Sequence, residues 1–184
     1  MSSMMKMTSK QYLVLGPDPP GIHLELAHGE IYMSPSPSPD HSDIILALAG
    51  FLRPHIKQHK LGKLYADTDT VFDDENTRRP DVIFFASARL HLVGKKALMG
   101  PPDLCVEVLS PTSVEMDRED KFALYENRRV ANYWIVDPDA QVIEAYVLKA
   151  GKFELAVRGK GHDVVRLPPF PELAIALAEI WPES

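Results

Sequence analysis

The chain has 184 residues, 45% of them apolar and 25% charged, with a formal net charge of −6. That length favours one domain over residues 1–184 with a core that needs no staple, because a chain of this size buries roughly 70% of its unfolded surface. The acidic balance excludes a histone-like or arm-type nucleic-acid binder, though not a local basic cleft, and the single cysteine, Cys105, excludes an intrachain disulfide and a Cys-rich zinc site.

The stretch Met1 to Lys6 is followed by no long apolar run, so it does not read as a signal peptide. The most apolar segment, Ile44 to Leu52, is ended by Arg53-Pro54-His55 and falls short of the ~18 residues of a membrane span. The expected compartment is the cytoplasm, with no membrane partner. The first predicted element is a hairpin. Ile22 to Leu26 and Glu30 to Met33 alternate in polarity around Ala27-His28-Gly29. Met33 to Pro39 carries proline at alternate positions, which excludes a helix or an inner strand and predicts an extended connector.

A helix is predicted next, with Asp40 as cap, Asp43 in the first turn, and Ile44, Leu48, Phe51 and Leu52 near one face. Pro54 is expected to bend or end it, and Gly62 to stop it. Three strands follow: Leu64 to Phe72, Asp81 to Phe85, and Asp103 to Leu109. The last two are nearly continuous apolar runs, the pattern of central strands covered on both faces. Asp117 to Arg128 reads as a helix and Tyr133 to Val136 as a buried strand closed by Asp137-Pro138. Val142 to Leu148, Phe153 to Val157 and Val164 to Leu167 read as a C-terminal β-meander, with a turn at Gly151-Lys152 and a short helix within Pro171 to Trp181. The order predicts an α/β (α+β) fold with a mixed central sheet flanked by helices.

Two carboxylates stand out in this frame. Asp81 precedes four apolar residues, and Glu107 lies between Val106 and Val108. An exposed sheet face would accommodate Glu107 without any role. Its same-face neighbours, however, are Cys105 and Leu109, which are not solvent-facing types. A buried carboxylate is expensive unless something pairs with it, and a hard divalent cation such as Mg²⁺ commonly holds two together. Lys121 shares a helix face with Leu124 and Tyr125, so packing of that face on the sheet would turn its ammonium inward. The plainer alternative is a lysine whose stem runs over Tyr125 into water.

Several spaced motifs coincide in order: Arg79-Pro80-Asp81-Val82, Pro102 through Ser113 with Glu107 at its centre, Asp117, Asp120-Lys121, Tyr125, and Tyr133 through Pro138. Upstream, Gly29-Glu30, Met33-Ser34-Pro35 and His41 also match. Over about residues 24–138 the chain resembles the Uma-type family of endonucleases within the PD-(D/E)XK restriction-endonuclease-like superfamily. The resemblance implies a restriction-endonuclease-like core with an N-terminal hairpin. It implies Asp81 and Glu107 as metal ligands, with the Val108 carbonyl as a further ligand. The superfamily lysine normally stands two residues after the second acid, where this chain has Leu109. Members of this family supply it from the next helix, which matches Lys121. Glu30 and His41 match accessory positions near the metal or its waters. One departure is Arg129-Val130, where the family has Gly-Val; it predicts a different exit from the helix.

The expected function is therefore a Mg²⁺-dependent endonuclease acting on DNA through catalytic Asp81, Glu107 and Lys121, with Mn²⁺ able to substitute. RNA or branched DNA is an alternative substrate, and a non-catalytic nucleic-acid-binding or assembly module on the same fold is an alternative role. A homodimer is expected by analogy, since cutting both strands takes two sites. Tyr133-Trp134 reads as core rather than as a base-stacking pair. The basic groups at Lys57, Lys60 and Lys63, at Arg78-Arg79, at Lys95-Lys96 and at Arg128-Arg129 each read as solvated charge, though a nuclease would need some along a phosphate track.

Overall fold

In the computed structural model, which describes residues 6–182, the N-terminal hairpin forms as predicted. Strands β1 (Ile22–Ala27) and β2 (Glu30–Pro35) pair antiparallel from Ile22↔Pro35 to Ala27↔Glu30. His28 and Gly29 make the turn with φ of 52° and 80°, the left-handed pair a tight hairpin needs. The reading of Met1 to Met5 lies outside the described residues. A four-residue helix, α1 (Ser9–Tyr12), precedes the hairpin behind a Thr8–Gln11 capping box.

Helix α2 (Pro39–Gln58) differs from its predicted form at both ends. Its cap is Ser38, whose side chain accepts from the His41 N–H, with Pro39 in the first turn. Asp40, expected as cap, lies inside that turn. Pro54 does not end the helix. Ile44, Leu48, Leu52 and Ile56 are all buried, so the packed stripe continues on both sides of the proline. A mid-helix proline costs about 3 kcal/mol; burying each large aliphatic side chain returns roughly 1.5–3 kcal/mol. The left-handed residue after the helix is Lys60, not Gly62. Gly62 instead opens strand β3, where a Cβ would lie 2.0 Å from the Phe85 carbonyl oxygen, so only glycine permits that approach.

The predicted strand Leu64 to Phe72 is two strands in different sheets, β3 (Gly62–Tyr65) and β4 (Thr70–Asp73), divided where Asp67 turns to φ 44°. Then come β5 (Asn76–Arg78), β6 (Val82–Ala86), a 3₁₀ turn at Ser87–Leu92, β7 (Leu98–Met99) and β8 (Leu104–Val108). A π-helical turn, Met116–Asp120, runs into α3 (Lys121–Asn127), which is followed by β9 (Asn132–Asp137). Strands β10 (Val142–Lys149) and β11 (Lys152–Lys160) form a hairpin. The third leg expected of the meander leaves that sheet. Its strand, β12 (Val164–Val165), pairs with β13 (Ile175–Ala176), and a 3₁₀ turn at Leu177–Glu179 stands where a short helix was predicted.

The central sheet has the order β11-β10-β9-β8-β6-β3, with one parallel pair, β8–β9, and antiparallel neighbours otherwise. It is the mixed sheet of an α+β fold. A second sheet, β2-β1-β5-β4-β7, lies beside it. Alternation sorts the central strands. Val82 and Phe84, with Leu104, Val106 and Val108, pack on α2 and the C-terminal segment. Cys105, Leu109, Tyr133 and Ile135 pack on α3. Glu107 shares the second face. Tyr133 and Trp134 are fully buried and donate to the Asp117 and Pro168 carbonyls, so they are core. Among the described residues no helix is long and apolar enough to cross a membrane.

The helix exit at Arg129 is not different in shape. Arg129 adopts φ 63°, and the Val130 and Arg129 N–H groups donate to the carbonyls of Tyr125 and Glu126 at 2.9 and 3.1 Å. This is the Schellman closure that glycine normally serves, adopted by an arginine.

Candidate active site

The site begins where two central strands run out of sheet. The β6–β8 register pairs Val82 with Val106, so the next residue on each strand brings Asp81 alongside Glu107. The Val108 N–H donates to Asp81 Oδ2 at 2.7 Å, tying the first acid to the strand that carries the second. The Val108 carbonyl points to the first turn of α2. There the His41 Nε2 lies 2.9 Å from that oxygen and 3.3 Å from Asp81 Oδ2.

Glu107 faces α3 with both oxygens engaged. Oε2 accepts from Lys121 Nζ at 2.9 Å, and Oε1 from the Tyr125 hydroxyl at 2.7 Å. The π-helical turn swings Asp117 to the same ammonium, with Oδ1 3.2 Å from Nζ. That oxygen is a charge neighbour without an aligned hydrogen bond, and it is buried with no other partner. From the second sheet, Glu25 Oε1 approaches Nζ to 3.6 Å and accepts from the Arg79 N–H at 2.6 Å. Lys121 thus sits among three carboxylates, with its side chain 8% exposed.

The electrostatics follow from this packing. Burial pushes the Glu107 carboxyl well above its ordinary range; Lys121 opposes that, while Asp117, Asp81 and Glu25 add to it. Burial alone would lower the Lys121 ammonium, but Glu107, Glu25, Asp117 and Asp81 outweigh it and hold the ammonium well above an ordinary lysine. Lys121 therefore remains a cation. Asp117 is raised by burial against the pull of Lys121 and Ser113. Burial would lower His41 as well, but Asp81 and the Val108 carbonyl raise it.

The structure brings Asp81, Glu107, Val108, Lys121 and His41 to one cavity of about 560 Å³. It does not bring Glu30 there. Glu30 is exposed at the hairpin tip opposite Ala27, two residues past Tyr32 at the turn-side end of the cavity wall. The acid that hairpin does supply is Glu25, which the sequence reading missed. The signal was present, since Glu25 lies between Leu24 and Leu26 just as Glu107 lies between valines. Asp117, one of the residues that carry the family resemblance, stands one helical turn before Lys121. Three arginines of the basic groups are held by carboxylates. Arg78 is fully buried against Asp120, Arg79 is clamped by Asp18 and Asp67, and Arg128 by Asp73.

A family model, Uma2, described as "Putative restriction endonuclease", matches residues 9–178. A solved structure described as a putative nuclease belonging to DUF820 from Anabaena variabilis superposes with a TM-score of 0.77 at 21% identity, covering 95% of this chain and 97% of that one. At that identity the likeness speaks for the fold. No curated protein matches the chain.

Proposed function

The chain belongs to the Uma2 family, and from that premise we propose that it is a metal-dependent endonuclease hydrolysing phosphodiester bonds in DNA. The observation that carries this reading is the convergence of Asp81, Glu107 and Lys121 on one cavity from two strands and a helix.

The donor set fits a hard divalent cation. Every candidate ligand atom is an oxygen, two of them (Asp81 Oδ2 and the Val108 carbonyl) converge on a single His41 N–H, and a third, Asp117 Oδ1, is buried without a hydrogen bond. Among the described residues no three His, Cys, Asp or Glu side chains form a ready cage. Mg²⁺ takes one or two carboxylates from a protein and keeps several waters, so Asp81 and Glu107 suffice as its acidic ligands. Asp81, Glu107 and the Val108 carbonyl would hold the ion, with Mn²⁺ as a substitute. When bound, such an ion supplies Lewis-acid polarisation of a phosphoryl oxygen and a lowered pKa for water.

The chain's own groups do the rest. Lys121, held charged by Glu107, Asp117 and Glu25, orients the attacking water and offsets charge growing on the phosphate. Tyr125 fixes the second Glu107 oxygen, so the carboxylate cannot rotate away. The Val108 N–H does the same for Asp81. His41 sets the side of the Val108 carbonyl that faces α2. A non-catalytic binding or assembly module is the second reading. The observation in its favour is that Arg78, Arg79 and Arg128 are all spent on carboxylates.

Plasmid relaxation in Mg²⁺ and Mn²⁺ tests the proposal. Wild type should nick, and Glu107→Ala and Lys121→Ala should lose about 10²-fold or more. Glu30→Ala, outside the cavity, should nick like wild type. Nicking retained by both site variants would sink the assignment. Metal binding without nicking on any nucleic acid would favour the binding module.

A further inference from the structure

The walls of the cavity specify more than the metal site. One face of the β1–β2 hairpin presents His23, Glu25, Tyr32 and Ser34 to it, in the register His23↔Ser34 and Glu25↔Tyr32. The connector Ser34 to Ser38 and the loop Ser110 to Ser113 add hydroxyls and prolines on either side, and Leu46 of α2 adds an apolar side chain that is 69% exposed.

The charge balance of this lining is the wrong sign for a duplex. Among the described residues, five carboxylates face two cationic side chains, Arg79 and Lys121, and both cations are already paired. Proteins that track duplex DNA neutralise many phosphates with Lys and Arg. One divalent cation would not reverse the excess here. The cavity, about 560 Å³, has room for a nucleotide or two. A single strand carries about half the duplex's charge per unit length, and its sites add an aromatic platform, since every base has a face to stack. Tyr32 is the aromatic side chain in this lining apart from the two imidazoles.

Resting on the nuclease reading above, we infer that the cleft takes an unpaired DNA strand, with a base against Tyr32 and the sugar–phosphate edge along the Ser34–Ser38 and Ser110–Ser113 hydroxyls. A duplex enters only where it is frayed, bulged or flipped open.

The test is fluorescence anisotropy of the full chain with a labelled short single strand and with the matching duplex, in Ca²⁺. The single strand should bind at least about ten-fold tighter, and Tyr32→Ala should weaken it about 5- to 100-fold while Tyr32→Phe retains it. Met33→Ala, on the opposite face of the same strand, should bind like wild type and controls for hairpin folding. Between about 50 and 200 mM salt the single-strand affinity should fall less than ten-fold, far less than the 10³–10⁵ typical of a many-phosphate contact. Equal or tighter duplex binding, or binding indifferent to Tyr32→Ala, overturns the inference. Cleavage of the same oligonucleotides in Mg²⁺ separates the two readings. Single-strand preference without cleavage leaves the inference standing and sinks the nuclease; equal cleavage of duplex and single strand does the reverse.

Discussion

Lys121 Nζ donates to Glu107 Oε2 at 2.9 Å across the interface between α3 and the central sheet, and both side chains are withdrawn from solvent. A buried ion pair is not by itself a source of stability, because desolvating two charges offsets most of their attraction. What it does is make each partner dependent on the other. Without the ammonium, Glu107, Asp117 and Glu25 would be left as a cluster of like charges in a low-dielectric pocket.

The first prediction concerns that dependence. Lys121→Met should destabilise the fold by about 3–5 kcal/mol, the usual cost of orphaning a buried charge. Adding Glu107→Gln should recover part of the loss, giving a coupling of roughly 0.5–3 kcal/mol in a double-mutant cycle. Urea unfolding of the four proteins measures it. Strict additivity would mean the pair does not act as a unit.

The second concerns pH. Glu126 Oε1 and Oε2 accept from Lys152 Nζ and the Phe153 N–H, both at 2.7 Å, joining α3 to the β10–β11 hairpin. Those hydrogen bonds, Lys152 first, hold its carboxyl below the usual range. A folded-state pKa below the unfolded value of about 4.3 means that the contribution is present above that value and is lost as pH falls through the folded one. Glu126→Gln should therefore lower the urea midpoint at neutral pH and match wild type near pH 2–3. A difference that stays constant across that range would contradict the assignment.

The third concerns Arg129. A non-glycine residue in the left-handed region costs about 1–2 kcal/mol, and glycine returns part of that as unfolded-state entropy. Arg129→Gly should raise stability by roughly 0.5–1 kcal/mol with an unchanged denaturant slope. A lower midpoint would show that the guanidinium, whose Nη1 lies 3.2 Å from where a Gly151 Cβ would stand, packs usefully over the neighbouring turn.

The sequence by itself determined the strands that bring Asp81 and Glu107 together. Asp81 and Glu107 declare themselves because a carboxylate inside an apolar strand has few places to go, and the strand period of two puts Glu107 on the face of Cys105 and Leu109 wherever the strand lies. The same logic was available for Glu25. Tertiary structure decided what local pattern cannot carry. It ran α2 through Pro54 because buried side chains on both sides outweigh one lost hydrogen bond. It divided Leu64 to Phe72 between two sheets, and it formed β5 and β7, which are too short to show a period. It left Glu30 in solvent and turned Glu25 inward, because the hairpin packs by one face and its tip projects past the core. It also assigned the arginines to structural carboxylates, since ion pairing depends on which elements meet in space and not on spacing along the chain.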